Sequence, residues 1–139
     1  MFGEKIITNI FKQSLDSKNR FYLPKSVGAE YGDGLILLQE ENFFSIHSER
    51  EFMNKIDNLD KEELVSLKDF LIVKKQYDEM FSNVLARTVV DRQGRIRLPQ
   101  LVSQYYSLSD SVVLRGAGYY LNVFKDIDDA MDYGKKLKK

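Results

Sequence analysis

The sequence contains no cysteine and no tryptophan, and it has a single histidine and only two prolines. Without cysteine, disulfide bonds, zinc–thiolate sites and cysteine nucleophiles are excluded. With His47 as the one histidine, the common catalytic triads and zinc sites cannot be assembled either. We therefore expect a protein that is not an enzyme and that carries no metal ion and no other cofactor.

Long apolar runs and an excess of one charge are absent too. No stretch approaches the roughly 18 apolar residues that span a bilayer. The N-terminal segment lacks the apolar region and cleavage site of a signal peptide, so we expect a cytoplasmic protein without membrane contact.

The net charge is zero, but it is −4 over residues 1–70 and +4 over residues 71–139. A neutral total can hide a basic DNA-binding face, and it fits equally well two ordinary surfaces that favour self-association.

The chain does contain an internal repeat. The segment LDSKNRFYLP at 15–24 aligns with VDRQGRIRLP at 90–99. Further on, the apolar segments 33–37 and 43–46 align with 110–114 and 120–123 after a gain of two residues. The agreement extends over about 35 residues in each copy, which is typical of a tandem duplication.

Each copy is predicted to run strand, turn, strand, short helix, strand, turn, strand. We divide the chain into a first copy at 1–47, a helical insert at 48–82 and a second copy at 83–139 with a C-terminal helix. A capping box of Asp60 and Glu63 predicts a helix start within the insert. Four short strands are too few to close a sheet. The predicted fold is therefore α+β, mainly β, with two interleaved copies forming one pseudo-two-fold barrel flanked by helices.

Both copies share the pattern Asp-x-x-(Asn/Gly)-Arg. Asp16 and Asp91 precede a tight turn, where a carboxylate can accept backbone N–H groups across the loop. Asn19 and Gly94 tolerate the positive φ that such a turn requires. The arginine that follows, Arg20 in the first copy, has a planar guanidinium group that can donate hydrogen bonds to phosphate oxygens or to the edge of a guanine. The alternative is an Asp–Arg pair that only closes the turn; we favour that structural role for the carboxylates and leave both roles open for the arginines.

The two motifs, each running on into an apolar-x-Leu-Pro stretch, resemble those of the MraZ family. This family consists of tandem AbrB/SpoVT-like proteins with swapped-hairpin (double-ψ) β-barrels that bind DNA. The resemblance covers nearly the whole chain. It implies a regulator of transcription in the bacterial cytoplasm, associated with the nucleoid, that binds double-stranded DNA. It also implies action on the division and cell-wall gene cluster, including the protein's own promoter, and assembly into a ring-like homo-oligomer.

On this resemblance, Arg20 and Arg95 are the expected central DNA contacts. Phosphate contacts are expected from the basic residues around them, which are Lys18, Lys25, Arg92 and Arg97. The sequence departs from the family pattern at three positions. Asn19 replaces the usual glycine of the first turn, and Gly28 and Ser103 replace basic residues of the short helix that follows each proline.

Other functions compete with this one. An oligomeric interaction scaffold without DNA binding fits the zero net charge and the missing helix arginines. An antitoxin would need a long disordered tail, and only six residues follow Tyr133. The acidic cluster from Asp126 to Asp132 fits a solvated helix N-terminus better than a cation site.

Overall fold

A computed structural model describes residues 9–25, 34–60 and 67–138 of the chain. Over these residues it has eight strands and four helices. In chain order they are β1 (Ile10–Ser14), β2 (Arg20–Tyr22), β3 (Leu35–Gln39), β4 (Phe44–Ser48), α1 (Glu49–Asp60), α2 (Leu67–Ser82), β5 (Val84–Thr88), β6 (Arg95–Arg97), α3 (Gln100–Tyr105), β7 (Ser111–Gly116), β8 (Leu121–Phe124) and α4 (Ile127–Leu137). The Asp60–Glu63 capping box and Gly28 involve residues outside the described ranges.

Six of the strands form one antiparallel sheet in the order β1-β7-β8-β4-β3-β5. The two short strands, β2 and β6, pair with each other as a separate ribbon. The first strand of each copy pairs with the third strand of the other copy, β1 with β7 and β5 with β3. The copies are therefore joined by backbone hydrogen bonds at both ends of the sheet.

Equivalent residues of the two copies meet where the copies touch at the centre. Phe21 lies opposite Ile96 in the ribbon, and Ser45 lies opposite Asn122 in the sheet. When equivalent residues face each other in an antiparallel pair, a local two-fold axis runs between them. The strand pairing thus places a pseudo-two-fold axis through the middle of the ribbon and the middle of the sheet.

The fold is α+β with a mainly antiparallel sheet, as predicted, but the predicted closed barrel is wrong. Within the described residues β1 and β5 are the two edges of the sheet, and they do not pair with each other. The ribbon does not bridge them, because β2 and β6 hydrogen-bond to one another. Each ribbon strand is only three residues long, and a proline follows two residues later, at Pro24 and Pro99, where no donor remains for further pairing.

The main core lies between the ribbon and one face of the sheet. Phe21 and Ile96 point inward from the ribbon and are 1% and 0% exposed. They pack with sheet residues of both copies, among them Leu37, Ile46 and Leu114. Burial of side chains of this size contributes about 1.5–3 kcal/mol each. The ribbon is therefore fixed on the sheet by its inward side chains, and its outer face is left to solvent.

Helices cover the opposite face of the sheet. Ala130 and Tyr133 of α4 pack on Phe43, Val113 and Phe124. Phe52 and Ile56 of α1 pack on Ile36, with α2 covering them from outside. The result is three layers, with the ribbon and α3 on one side of the sheet and α1, α2 and α4 on the other.

The acidic cluster at the start of α4 serves the helix. Asp126 is the N-cap, and its carboxylate accepts a hydrogen bond from the backbone N–H of Asp129 at 2.9 Å. Carboxylates are favoured at a helix N-terminus by the exposed N–H groups and the helix dipole.

None of the helices in the described parts of the chain is both long and apolar enough to cross a membrane.

His47 lies on β4, where its ring stacks on Tyr120 with centroids 4.5 Å apart. Its Nε2 atom lies 2.8 Å from the hydroxyl of Ser45. Burial, followed by the nearby charge of Lys55, lowers the pKa of His47 from 6.5 to about 4. The folded protein therefore holds this ring neutral at a pH where the unfolded chain takes up a proton.

We expect the protein to lose stability as the pH falls from 7 to 5. Because the unfolded chain protonates His47 near 6.5 and the folded chain only near 4, this group alone should cost about 2 kcal/mol at pH 5. His47→Phe, which copies the equivalent residue Phe124, should remove that part of the pH dependence. Urea unfolding of both proteins at the two pH values measures it, and equal pH slopes would contradict this role of His47.

Candidate nucleic-acid interface

The first motif forms a tight loop closed by the carboxylate of Asp16. Its Oδ1 atom accepts the backbone N–H groups of Lys18 and Arg20, each at 2.9 Å, and its Oδ2 atom accepts Nε–H of Arg20 at 2.8 Å. The backbone closes the same loop, with Asp16 N–H donating to the Arg20 carbonyl at 3.0 Å. One carboxylate therefore fixes both the turn and the arginine that leaves it.

The second motif repeats this geometry. Asp91 Oδ1 accepts the backbone N–H groups of Gln93 and Arg95 at 2.9 Å, and Oδ2 accepts Nε–H of Arg95 at 2.9 Å. These backbone hydrogen bonds, followed by the arginine contact, hold the pKa of both motif carboxyls, Asp16 and Asp91, below the usual aspartate value. Both carboxylates thus stay ionised and keep their arginines oriented over the ordinary pH range.

The turn residues explain why the two loops have the same shape. Asn19 has φ of 60° and Gly94 has φ of 83°. Among residues with a side chain, asparagine is one of the few that adopt this left-handed conformation readily. The asparagine in place of the family's glycine therefore leaves the first turn intact.

The two loops are also tied to each other. The N–H of Leu23 donates to the Gly94 carbonyl at 3.0 Å, and the N–H of Leu98 donates to the Asn19 carbonyl at 2.8 Å. Each loop tip is thus held by the strand that leaves the other loop. These reciprocal bonds make the ribbon and both loops a single surface to which the two copies contribute equally.

Four side chains form a square on the outer face of the ribbon. Arg20 lies opposite Arg97, and Tyr22 lies opposite Arg95. Arg20 and Arg95 each donate Nε–H to the aspartate of their own motif. The terminal Nη atoms of both arginines have no hydrogen-bond partner among the described residues. Three guanidinium groups thus stand on one solvent-facing surface, which suits the binding of an anion or of base-edge acceptors.

Two shallow depressions flank this square. The first, of about 460 Å³, is lined by Arg20, Arg95 and Arg97 together with Asp91 and Thr88. The second, of about 560 Å³, is lined by Lys25 and Arg92 with Tyr22, Gly94 and Gln13. The structure therefore brings five of the six predicted basic contacts to these two depressions. Lys18 is exposed at the tip of the first loop and lines neither of them.

Gln13 and Thr88 are not identified by any motif in the sequence. Gln13 belongs to β1 and lines the second depression beside the loop of the other copy. Thr88 belongs to β5, just before the second motif, and its hydroxyl donates to the Arg97 carbonyl of the same copy at 3.2 Å. Ser103, which stands where the family commonly has a basic residue, is 6% exposed, so its side chain faces the core rather than the loop surface. No motif in the sequence predicts these positions, because they depend on tertiary packing.

Within the described ranges, no group of three or more carboxylate or histidine side chains is placed to hold a metal ion. The chemistry of the surface is that of guanidinium and ammonium groups, which recognise phosphate by charge and base edges by hydrogen bonds.

No family model matches the chain. It is similar to proteins named transcriptional regulator MraZ: that of Cutibacterium acnes is 29% identical over 104 residues, covering 74% of this chain and 70% of that protein. The Arthrobacter sp. protein is 31% identical over 105 residues, covering 75% and 70%. The Micrococcus luteus protein is 29% identical over 111 residues, covering 79% and 74%. At this identity and coverage, the chain belongs to the MraZ family of transcriptional regulators.

Proposed function

We propose that this protein regulates transcription by binding duplex DNA in a sequence-specific manner through the β2–β6 ribbon and its two loops. The observation that carries the proposal is the gathering of Arg20, Arg95 and Arg97 on one outward face, with terminal nitrogens of the two motif arginines unused within the described residues. The family resemblance supports the division and cell-wall gene cluster, including the protein's own promoter, as its target.

The shape of the ribbon supports contact in the major groove. That groove is wide enough for a two-stranded β-ribbon, and arginine can donate two hydrogen bonds to the O6 and N7 atoms of a guanine. Arg20 and Arg95 are held at the loop exits by Asp16 and Asp91, so they enter the groove already oriented. Phosphate contacts fall to the basic residues around them, which are Lys18, Lys25, Arg92 and Arg97.

The strand exchange supports a swapped-hairpin arrangement of two tandem AbrB-like copies, divided as 1–47, 48–82 and 83–139. A single copy would leave β1 without the partner that β7 supplies and β5 without the partner that β3 supplies. On this proposal the chain carries within itself the partner that a one-copy relative would find by dimerisation.

Several subunits would act together on repeated DNA sites, because one chain offers only two loops and linked sites raise the effective concentration of each contact. Large apolar side chains exposed along α2 support contacts with other protein chains; they are Leu67, Phe70, Leu71, Ile72 and Phe81. Exposed apolar clusters of this kind mark interaction surfaces. The same observation, with the zero net charge, favours the second candidate function, an oligomeric scaffold without DNA binding.

The test is fluorescence anisotropy of the duplex upstream of the protein's own gene against a scrambled duplex. We expect preferential binding that falls steeply with salt. Four phosphate contacts predict a slope of about −3.6 in log K against log [salt], so affinity should fall roughly 150-fold between 50 and 200 mM salt. Light scattering of the same sample measures the subunit number.

Equal, salt-insensitive signals from both duplexes, with the fold intact by circular dichroism, would reject DNA binding and leave the scaffold. A strict monomer by light scattering would reject the joint action of several subunits while leaving the DNA contacts of one chain in place.

A further inference from the structure

The square on the outer face of the ribbon is unequal in its two halves. The pseudo-two-fold axis relates Arg20 to Arg95 and Tyr22 to Arg97. Full symmetry would place a like pair at both ends, yet one end holds Arg20 beside Arg97 and the other holds Tyr22 beside Arg95. The two motifs are thus alike in backbone and different in the side chain that faces each motif arginine.

This difference changes how the two motif arginines are held. The guanidinium carbon of Arg95 lies 6.0 Å from the ring centroid of Tyr22, within the range of a cation–π contact. Arg95 is therefore held by both Asp91 and Tyr22, and its side chain is 20% exposed, against 28% for Arg20. Among the residues that the structure describes, only Asp16 holds Arg20. Arg20 lies opposite a second cation, Arg97, an arrangement that is unfavourable unless an anion lies between them.

We propose that Tyr22 is the specificity-determining residue of this surface, an inference that rests on the proposed DNA binding. The Tyr22–Arg95 half reads a base, because a guanidinium held from two sides meets a guanine edge with little further ordering. The Arg20–Arg97 half binds a backbone phosphate, whose oxygens satisfy both guanidinium groups at once. The protein therefore binds an asymmetric DNA site, with sequence preference concentrated in the half that Tyr22 faces.

The decisive variant is the exchange Tyr22→Arg/Arg97→Tyr. It keeps composition and net charge and moves the tyrosine to the opposite corner of the square. Both positions are exposed, Tyr22 to 49%, so the fold should be kept, which circular dichroism checks. Binding sites are selected from duplexes with a randomised centre, for the wild type and for the exchanged protein.

The orientation of the protein on its DNA site is measured with a DNA-cleaving chelate attached to one loop. The chain has no cysteine, so Gln93→Cys gives a single attachment point for a DNA-cleaving iron chelate at the tip of the second loop, beside Arg95. With the tagged wild type, cleavage should fall next to the half-site of stronger sequence preference. In the exchanged protein it should fall next to the weaker half, because the base-reading corner has moved to the first loop.

Single variants separate the effect of the tyrosine ring from the effect of the Arg97 charge. Tyr22→Ala should weaken the preferred half-site without changing the salt slope. Arg97→Tyr should add a second preferred half-site, making the selected sequence two-fold symmetric, and should reduce the slope by about 0.9. A symmetric site selected by the wild type, or an orientation unchanged by the exchange, would overturn the role of Tyr22 and leave DNA binding standing. Absence of binding by the wild type to any duplex would reject DNA binding and this inference with it.

Discussion

Replacing both Arg20 and Arg95 by alanine is expected to weaken binding to the own-promoter duplex at least about 30-fold. A well-formed arginine contact with a base contributes about 1–3 kcal/mol, and a hydrogen bond to a charged group such as a phosphate contributes about 1.5–3 kcal/mol. Each factor of ten in affinity corresponds to about 1.4 kcal/mol. Each arginine also closes its own loop through an aspartate, but the ion pairs are solvent-accessible. Pairs of that kind stabilise folds only weakly. The double substitution should therefore lower the affinity for DNA and leave the stability of the fold nearly unchanged. Anisotropy titrations at one fixed salt concentration measure it.

The matched control is Lys135→Ala/Lys136→Ala, which removes two positive charges from exposed positions of α4, outside both depressions. It should change affinity only slightly, through the net charge. If the control weakened binding as much as the arginine variant, the effect would be one of total charge, and the ribbon would lose its assignment as the DNA-contacting surface.

Phe21→Ala is expected to destabilise the whole protein by about 3–5 kcal/mol, the usual cost of removing a buried aromatic ring from a core. Phe21 is 1% exposed and lies opposite Ile96 on the pseudo-two-fold axis. Since its cluster contains side chains of both copies, unfolding should remain a single transition in which neither copy survives alone. Urea denaturation followed by circular dichroism measures the change.

Leu101→Ala serves as its control. Leu101 is 78% exposed on α3, so its removal should change the free energy of unfolding by less than about 0.5 kcal/mol. Two separate transitions in Phe21→Ala, one for each copy, would contradict the description of the copies as a single cooperative unit.

Turns and helices can be predicted from the sequence where the residues of one short segment determine its backbone conformation. Asn19 and Gly94 identify the turns because few other residues adopt positive φ. The predicted C-terminal helix is present as α4, because an aspartate N-cap and an apolar face both lie within its own segment. The short helix predicted in the second copy is also present as α3, with Pro99 as its N-cap.

Long-range features are not readable in this way. The sequence pattern predicts a closed barrel, but closure depends on whether β1 and β5 meet, and strand pattern alone does not decide that. The burial of Ser103 and the position of Gln13 beside the loop of the other copy follow from tertiary packing. The six basic positions and the three-part division of the chain stay predictions, to be tested by the experiments above.

The pairing of β1 with β7 also matters while the chain is being made. Ile10 has its partner at Arg115, so the ribosome adds about 100 residues after β1 before that partner exists, which takes roughly 5–20 s at ordinary rates of synthesis. Such distant contacts also form slowly once the chain is complete. During that interval β1 has an open strand edge, and its polar Lys12, Gln13 and Ser14 make that edge a poor template for aggregation. Replacing them with apolar residues should lower the soluble yield on expression even where the finished fold tolerates the change.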